Sequence, residues 1–218
     1  MTLSVDLFFS FRSPYSYLAL PKTLRIVEQY DLVVNARPVY PLAVRVPGFF
    51  KKANPNFARY VFIDSIRVAQ MENIPFRFPQ PDPIDQNMTT LEVAPEQPRI
   101  RRLTRLGAAA QETGKGLEFI WEVASTLWGG QVVTGWDQGD HLNLAAARAG
   151  LDLAALDDAI TKDVDRYERI IADNEAAHAA SNHWGVPCFV FNGEPFFGQD
   201  RIDLLVWRLK QHGLQERT

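Results

Sequence analysis

Apolar and polar positions alternate along this chain in two rhythms, a strand rhythm at both ends and a helix rhythm between them. Residues 3–9, Leu-Ser-Val-Asp-Leu-Phe-Phe, alternate and then turn continuously apolar, which predicts a largely buried strand. Residues 14–30 carry apolar side chains at helical spacing with Pro14 in the first turn, where a missing N–H costs nothing. Residues 32–39 predict a second strand. Two strands separated by one helix pair in parallel only if the helix is the crossover, so the chain opens as βαβ. It closes as ββα: a strand over 187–192, an Asn192-Gly193 hairpin turn, a strand over 195–197 and a helix over 200–212.

Between the two ends the pattern is helical, over about 56–72, 100–112, 117–128, 141–149, 153–160 and 163–180. Asn54-Pro55 supplies a cap for the first of these. Six prolines between 75 and 98 interrupt any regular element, which predicts an extended strap. So long an interval cannot be a loop, and the expected organisation is one domain from 1–45 and 181–218 carrying an inserted helical domain from 46–180.

With 218 residues, 46% of them hydrophobic, the chain can bury a full core. A net charge of -3 offers no broad attraction to nucleic acid or anionic lipid. No apolar run approaches the roughly 18 to 20 residues of a membrane span, and no signal-peptide pattern opens the sequence. Cys188 is the single cysteine, so no intramolecular disulfide can form. A soluble, cytoplasmic protein with a small-molecule substrate, and neither nucleic acid nor membrane as partner, is the expectation. The histidines, at 141, 178, 183 and 212, lack the i, i+4 spacing of a metal pair, and no metal is expected. No glycine-rich nucleotide loop occurs.

The chemistry concentrates at the strand-to-helix junction. Ser13-Pro14-Tyr15-Ser16 has the C-x-x-C spacing of a thioredoxin-type redox site, with serine at both sulfur positions. Far downstream, Gly185-Val186-Pro187-Cys188 invites a cis proline at a strand start. Ser13 is placed to cap the first helix, an ordinary structural role, and equally to donate to an anion held at the helix N-terminus. Ser16 has the second-sulfur spacing, one turn inside. Asp200, in Gly198-Gln199-Asp200-Arg201, reads as a cap for the last helix. Asp64 falls on the apolar stripe of its helix, so it needs a partner, from Arg67 or a neighbouring helix. His183 lies just before the Gly185-Val186-Pro187 turn. Cys188 reads as a small buried apolar residue.

The two ends resemble a known family. Phe9 to Ala19, F-x-x-S-P-Y-S-Y-L-A, and Gly185 to Arg201, G-V-P-x-F-V…G-E-P-F-F-G-Q-D-R, are similar to the 2-hydroxychromene-2-carboxylate isomerases. These are relatives of the kappa-class glutathione transferases within the DsbA-like thioredoxin superfamily. The resemblance implies an α/β thioredoxin-like fold, βαβ…ββα with a large all-helical insertion, and a glutathione-dependent isomerase of aromatic or unsaturated carboxylates, commonly a homodimer. Ser13 is then the catalytic residue. Ser13, Val186, Pro187, Gln199, Asp200 and Arg201 contact glutathione, Val186 through its backbone and Asp200 at the γ-glutamyl end. Tyr15, Phe57, Tyr60 and Trp128 line the substrate pocket. Phe57 stands where relatives carry a glutathione-binding lysine, leaving Lys51, Lys52 or Arg59 as substitutes, and residues 91–98 are extra length. A kappa-like glutathione transferase and a non-catalytic thioredoxin-like peptide-binding module are the alternative readings.

Overall fold

The computed structural model describes residues 2–46, 48–87, 89–130 and 135–217, with backbone alone for Phe50, Lys51 and Pro55. Its centre is a mixed four-stranded sheet formed by β1 (Leu3–Phe9), β2 (Leu32–Pro38), β3 (Cys188–Phe191) and β4 (Glu194–Phe197) in the order β2-β1-β3-β4. β1 and β2 run parallel in the register Leu3 to Leu32 through Phe9 to Pro38. Their connection is α1 (Pro14–Gln29), the crossover a parallel pair requires. β3 lies antiparallel to β1, with Cys188 opposite Phe8, and returns through Asn192-Gly193 into β4. Both turn residues have positive φ, 50° and 82°, which asparagine and glycine tolerate.

The predicted helices form with small shifts at their ends: α4 (Pro55–Met71), α5 (Pro98–Glu112), α6 (Gly116–Trp128), α7 (His141–Arg148), α8 (Leu153–Lys162) and α9 (Val164–Ala180). Two one-turn helices precede them, α2 (Leu42–Arg45) and α3 (Phe49–Lys52), too short for periodicity to reveal. The last helix begins as a 3₁₀ turn (Gln199–Arg201) and continues as α10 (Ile202–Gln211). Asp200 therefore lies inside the turn and makes no side-chain cap, a correction to its predicted role.

Alternation along β1 divides the burial. Val5, Leu7 and Phe9 enter a core shared with α1, α5, α6 and α10, whereas Phe8 joins Val39 and Cys188 on the opposite face. α5, α6 and α9 each pack on β2, so sheet and inserted helices share one continuous apolar core. Among its described residues the strap carries no helix before α5, only a single bridge from Gln86 to Val93. It is tied down where it passes the start of α1: the Arg12 guanidinium binds both Asp82 carboxylate oxygens at 2.9 and 3.0 Å and Gln86 at 3.1 Å, while Asp85 pairs with Arg99. Among the described residues no helix is long and apolar enough to cross a membrane.

Candidate functional site

The sheet delivers both ends of the chain to one corner. β1 runs out at Phe9, the chain turns, and Ser13 caps α1 by accepting the Ser16 N–H at 3.2 Å. The same Ser13 hydroxyl donates to the carbonyl of Val186 at 3.3 Å. The Val186-Pro187 bond is cis, as its place before a strand suggested. The Pro187 carbonyl in turn accepts the Gly198 N–H at 2.9 Å, which fixes the turn carrying Gln199, Asp200 and Arg201 beside the proline. Ser13, Val186, Pro187 and the 199–201 turn thus form one continuous hydrogen-bonded assembly. Asp200 and Arg201 are exposed and pair with each other at 3.1 Å.

Two glycines hold this geometry. Gly198 has φ of 111°, open to glycine at little cost. At Gly185 a Cβ would meet the Phe197 ring at 2.4 Å, so any larger residue before Val186 makes the ring or the chain shift.

α4 forms a third side. Tyr15 Oη donates to Asp64 Oδ2 at 2.7 Å, joining α1 to α4. The partner of Asp64 is this phenol on a neighbouring helix, and the expected ion pair with Arg67 is replaced by a neutral donor. Burial, then the Asp64 hydrogen bond and charge, with smaller effects of Tyr60 and Asp200, push the Tyr15 phenol well above the ordinary tyrosine range. It stays protonated at any working pH and serves as a donor, not as a base. Tyr60 and Phe57, one and two turns before Asp64, are exposed. Phe57 packs edge-on to Phe49, which meets Trp184, which packs against His183 and Phe197. This aromatic wall joins α4 to the segment leading into Val186. Lys52 and Arg59 are exposed near its α4 end, and the Lys51 side chain lies outside the described residues.

Trp128 is not part of the pocket lining. It is 2% exposed, stacks with Tyr17 and Phe76, and donates its indole N–H to the Phe11 carbonyl at 2.9 Å. So large an apolar surface is stabilised most by full burial once its one polar group has an acceptor. Its role is to support the 10–13 turn from behind. Tyr17 does likewise, donating to the Pro75 carbonyl at 2.7 Å, and burial pushes its phenol up to about 12. Ser16 is fully buried with no partner for its hydroxyl among the described residues. A cleft of about 860 Å³ between α4 and the strap, lined by residues such as Ile66, Ile74 and Phe78, includes none of the corner residues.

Disulfide chemistry by the chain itself lacks its components. Ser13 and Ser16 occupy both sulfur positions, and Cys188 is fully buried, with its thiol pushed up to about 11 by burial. What the corner offers is a helix N-terminus with a hydroxyl at its cap, a half-buried Val186 beside a cis proline, and one phenol fixed by Asp64. That set can hold and stabilise an anion belonging to another molecule.

Neither Arg12 nor Asp82 is singled out by sequence as a site-building residue. Arg12 next to Ser13 was an available signal, but its partner lies in the proline strap, with no local pattern linking the two.

Comparison with known proteins agrees with this fold. A 2-hydroxychromene-2-carboxylate isomerase from Pseudomonas sp. (strain C18) is 26% identical over 209 residues, 92% of this chain and 87% of the relative. A solved 2-hydroxychromene-2-carboxylate isomerase superposes with a TM-score of 0.70 at 21% identity, covering 96% of this chain and 95% of that one. The cytosolic disulfide reductase DsbM from Pseudomonas aeruginosa, solved with GSH, superposes with a TM-score of 0.56 at 16% identity, covering 95% and 100%. The DSBA-like thioredoxin domain matches residues 4–210, nearly the whole chain. With a βαβ…ββα sheet, a capped α1 and a cis proline facing that cap, the chain belongs to the DSBA-like thioredoxin domain family.

Proposed function

We propose that this protein is a glutathione-dependent isomerase that acts on a 2-hydroxychromene-2-carboxylate or a closely similar conjugated carboxylate. The observation that carries the reading is the Ser13 hydroxyl, held at the N-terminus of α1 and directed to the carbonyl before cis-Pro187, with serine at both sulfur positions and the neighbouring Cys188 fully buried. A thioredoxin-type site without its own sulfur is arranged to work on a sulfur brought to it. The relatives named above support the isomerase reaction, and the DsbM structure with GSH supports the use of glutathione on this kind of scaffold.

Glutathione bound here would supply a thiolate nucleophile for reversible addition to a conjugated carbon, after which the former double bond could rotate and the thiolate be expelled. The chain's residues do the rest. Ser13 turns its proton from Val186 O, where the contact is long, toward the sulfur anion, and the helix dipole favours that charge. Val186 offers its backbone to the extended tripeptide in the manner of strand addition. Asp200 meets the γ-glutamyl ammonium and Arg201 or the turn N–H groups meet a carboxylate. Tyr15, its one proton committed to Asp64, packs its ring beside the acceptor and offers only its oxygen lone pairs, while Phe57, Tyr60 and Trp184 exclude water along one wall. Phe57 brings no charge to the tripeptide's glycine carboxylate, and Arg59 or Lys52 takes that part.

Calorimetric titration with reduced glutathione and with S-methyl glutathione, followed by turnover of 2-hydroxychromene-2-carboxylate, tests the reading. Tighter binding of the free thiol and thiol-dependent isomerisation are expected. Accumulation of a stable thioether would make the protein a transferase instead, and no binding of either compound would reject glutathione.

A further inference from the structure

Behind the cis proline, on the sheet face opposite α1, three side chains converge: His178 near the end of α9, His183 in the following segment, and Cys188 at the start of β3. Their ligating atoms all lie within 4.8 Å of one another. A three- or four-coordinate ion with bonds of about 2.0 to 2.3 Å sets its donors about 3.5 Å apart, so closing the set takes roughly 1 Å of side-chain movement. His178 and Cys188 are fully buried. Neither ring nitrogen of His178 has a hydrogen-bond partner among the described residues, although the Gly185 N–H lies nearby. A buried imidazole normally pairs at least one nitrogen, and here two are left over in a cluster that also holds a thiol and a second imidazole.

We infer that His178, His183 and Cys188 form a binding site for a soft, thiolate-preferring d10 cation, copper(I) or zinc(II). Two imidazole nitrogens and one sulfur, with no carboxylate, form a donor set suited to these ions and not to calcium or magnesium. The rings are already oriented: His178 stacks on Phe8 at 4.6 Å and His183 lies between Trp184 at 5.7 Å and Phe197 at 4.2 Å. On binding, the sulfur–hydrogen bond of Cys188 breaks, the proton leaves to solvent and a sulfur–metal bond forms. A monovalent ion with one thiolate is a neutral unit, which favours copper(I) in so buried a place. Arg45, whose charge lies near His178, opposes any net positive charge, and Glu175 offsets it only in part.

The site would act on the corner in front of it. His183 Nδ1 accepts the Gly185 N–H at 3.0 Å, using the one lone pair of a neutral imidazole. An ion that ligates His183 at Nδ1 takes over that lone pair, and one that ligates Nε2 shifts the ring proton to Nδ1; either change removes the acceptor and releases Gly185, the residue before Val186-Pro187. Ion binding and the conformation of the cis-proline segment are therefore linked.

The test uses the full chain, stripped with a chelator under anaerobic conditions. It is titrated with copper(I) against a chromogenic copper(I) chelator, and separately with zinc(II) against a chromogenic zinc chelator. One ion per chain is expected, with affinity falling at least roughly 100-fold in Cys188→Ala and in His183→Gln, each checked for native circular dichroism. A thiolate-to-metal charge-transfer band must come from Cys188, the single sulfur ligand of its type. Copper(I) binding alone supports the charge argument, whereas zinc(II) binding alone keeps the site and refutes that preference. No uptake by the wild-type chain, or uptake unchanged in both variants, would overturn the inference.

Discussion

Tyr15 donates its phenol proton to the Asp64 carboxylate at 2.7 Å, and this one bond joins the first turn of α1 to the inserted helix α4. It fixes the side of the corner that α4 forms. Replacing Tyr15 by Phe leaves Asp64 without its donor, and Asp64→Asn weakens the same bond. Each substitution is expected to cost about 1 to 2 kcal/mol in urea denaturation, and the double variant little more than either alone. Additive losses would show that the two side chains act independently. Because the phenol is held far above its ordinary range, the pH dependence of wild-type turnover should show no limb belonging to Tyr15.

Ser13→Ala removes both the cap on Ser16 N–H and the donor to Val186 O. A stability loss of about 0.5 to 2 kcal/mol is expected from the cap. Isomerase turnover should fall much further, about 100-fold, with the pH profile moving to higher pH as the bound thiol loses its donor. A Ser13→Thr variant should recover part of both. Turnover and pH profile unchanged in Ser13→Ala would leave this residue as a cap alone.

Gly185→Ala sets a methyl group against the Phe197 ring. The ring or the segment must move, at a cost of about 1 to 3 kcal/mol. Affinity for glutathione should drop with it, since Val186 follows directly. Combining Gly185→Ala with Phe197→Leu should restore much of the stability, which thermal denaturation can measure.

Glu175 carries a pH effect of defined sign. Burial raises its carboxyl above the ordinary value, outweighing the Tyr40 N–H and Arg45, which favour the charge. The folded chain therefore holds that proton more tightly than the unfolded chain does. Its ionisation costs stability at pH above the folded value, and the cost is relieved as pH falls through that value toward the unfolded one. Glu175→Gln keeps an acceptor for Tyr40 N–H and removes the charge, so at neutral pH it should be as stable as the wild type or more so. The advantage should shrink on acidification in parallel denaturation curves. A variant less stable at neutral pH would show that the contact with Arg45 dominates.

Much of this architecture was written locally. Residues 3–9 and 32–39 declare strands by their apolar pattern, Pro14 marks the first turn of α1, and Asn192-Gly193 marks the hairpin. Ser13 and Pro187 stood out for the same reason, since a cap before proline and a proline before a strand are short-range arrangements. α2 and α3 escaped because one turn holds too few residues to show a period. Trp128 was misread because an aromatic residue on an amphipathic helix looks alike whether it faces a ligand or Tyr17 and Phe76. Asp64 revealed its need for a partner, but a phenol 49 residues away leaves no trace in local pattern.

The sequence by itself determined the order of strands and helices, the serine-for-sulfur substitution and the two segments that meet at the corner, because backbone dihedrals and periodic burial are set by near neighbours. Only the tertiary structure decided who faces whom. Arg12 clamps the strap through Asp82, Trp128 turns inward to Phe11, and His178, His183 and Cys188 gather behind the proline. Such pairings arise when distant segments exclude water together, and their free energy depends on that shared burial, not on spacing along the chain.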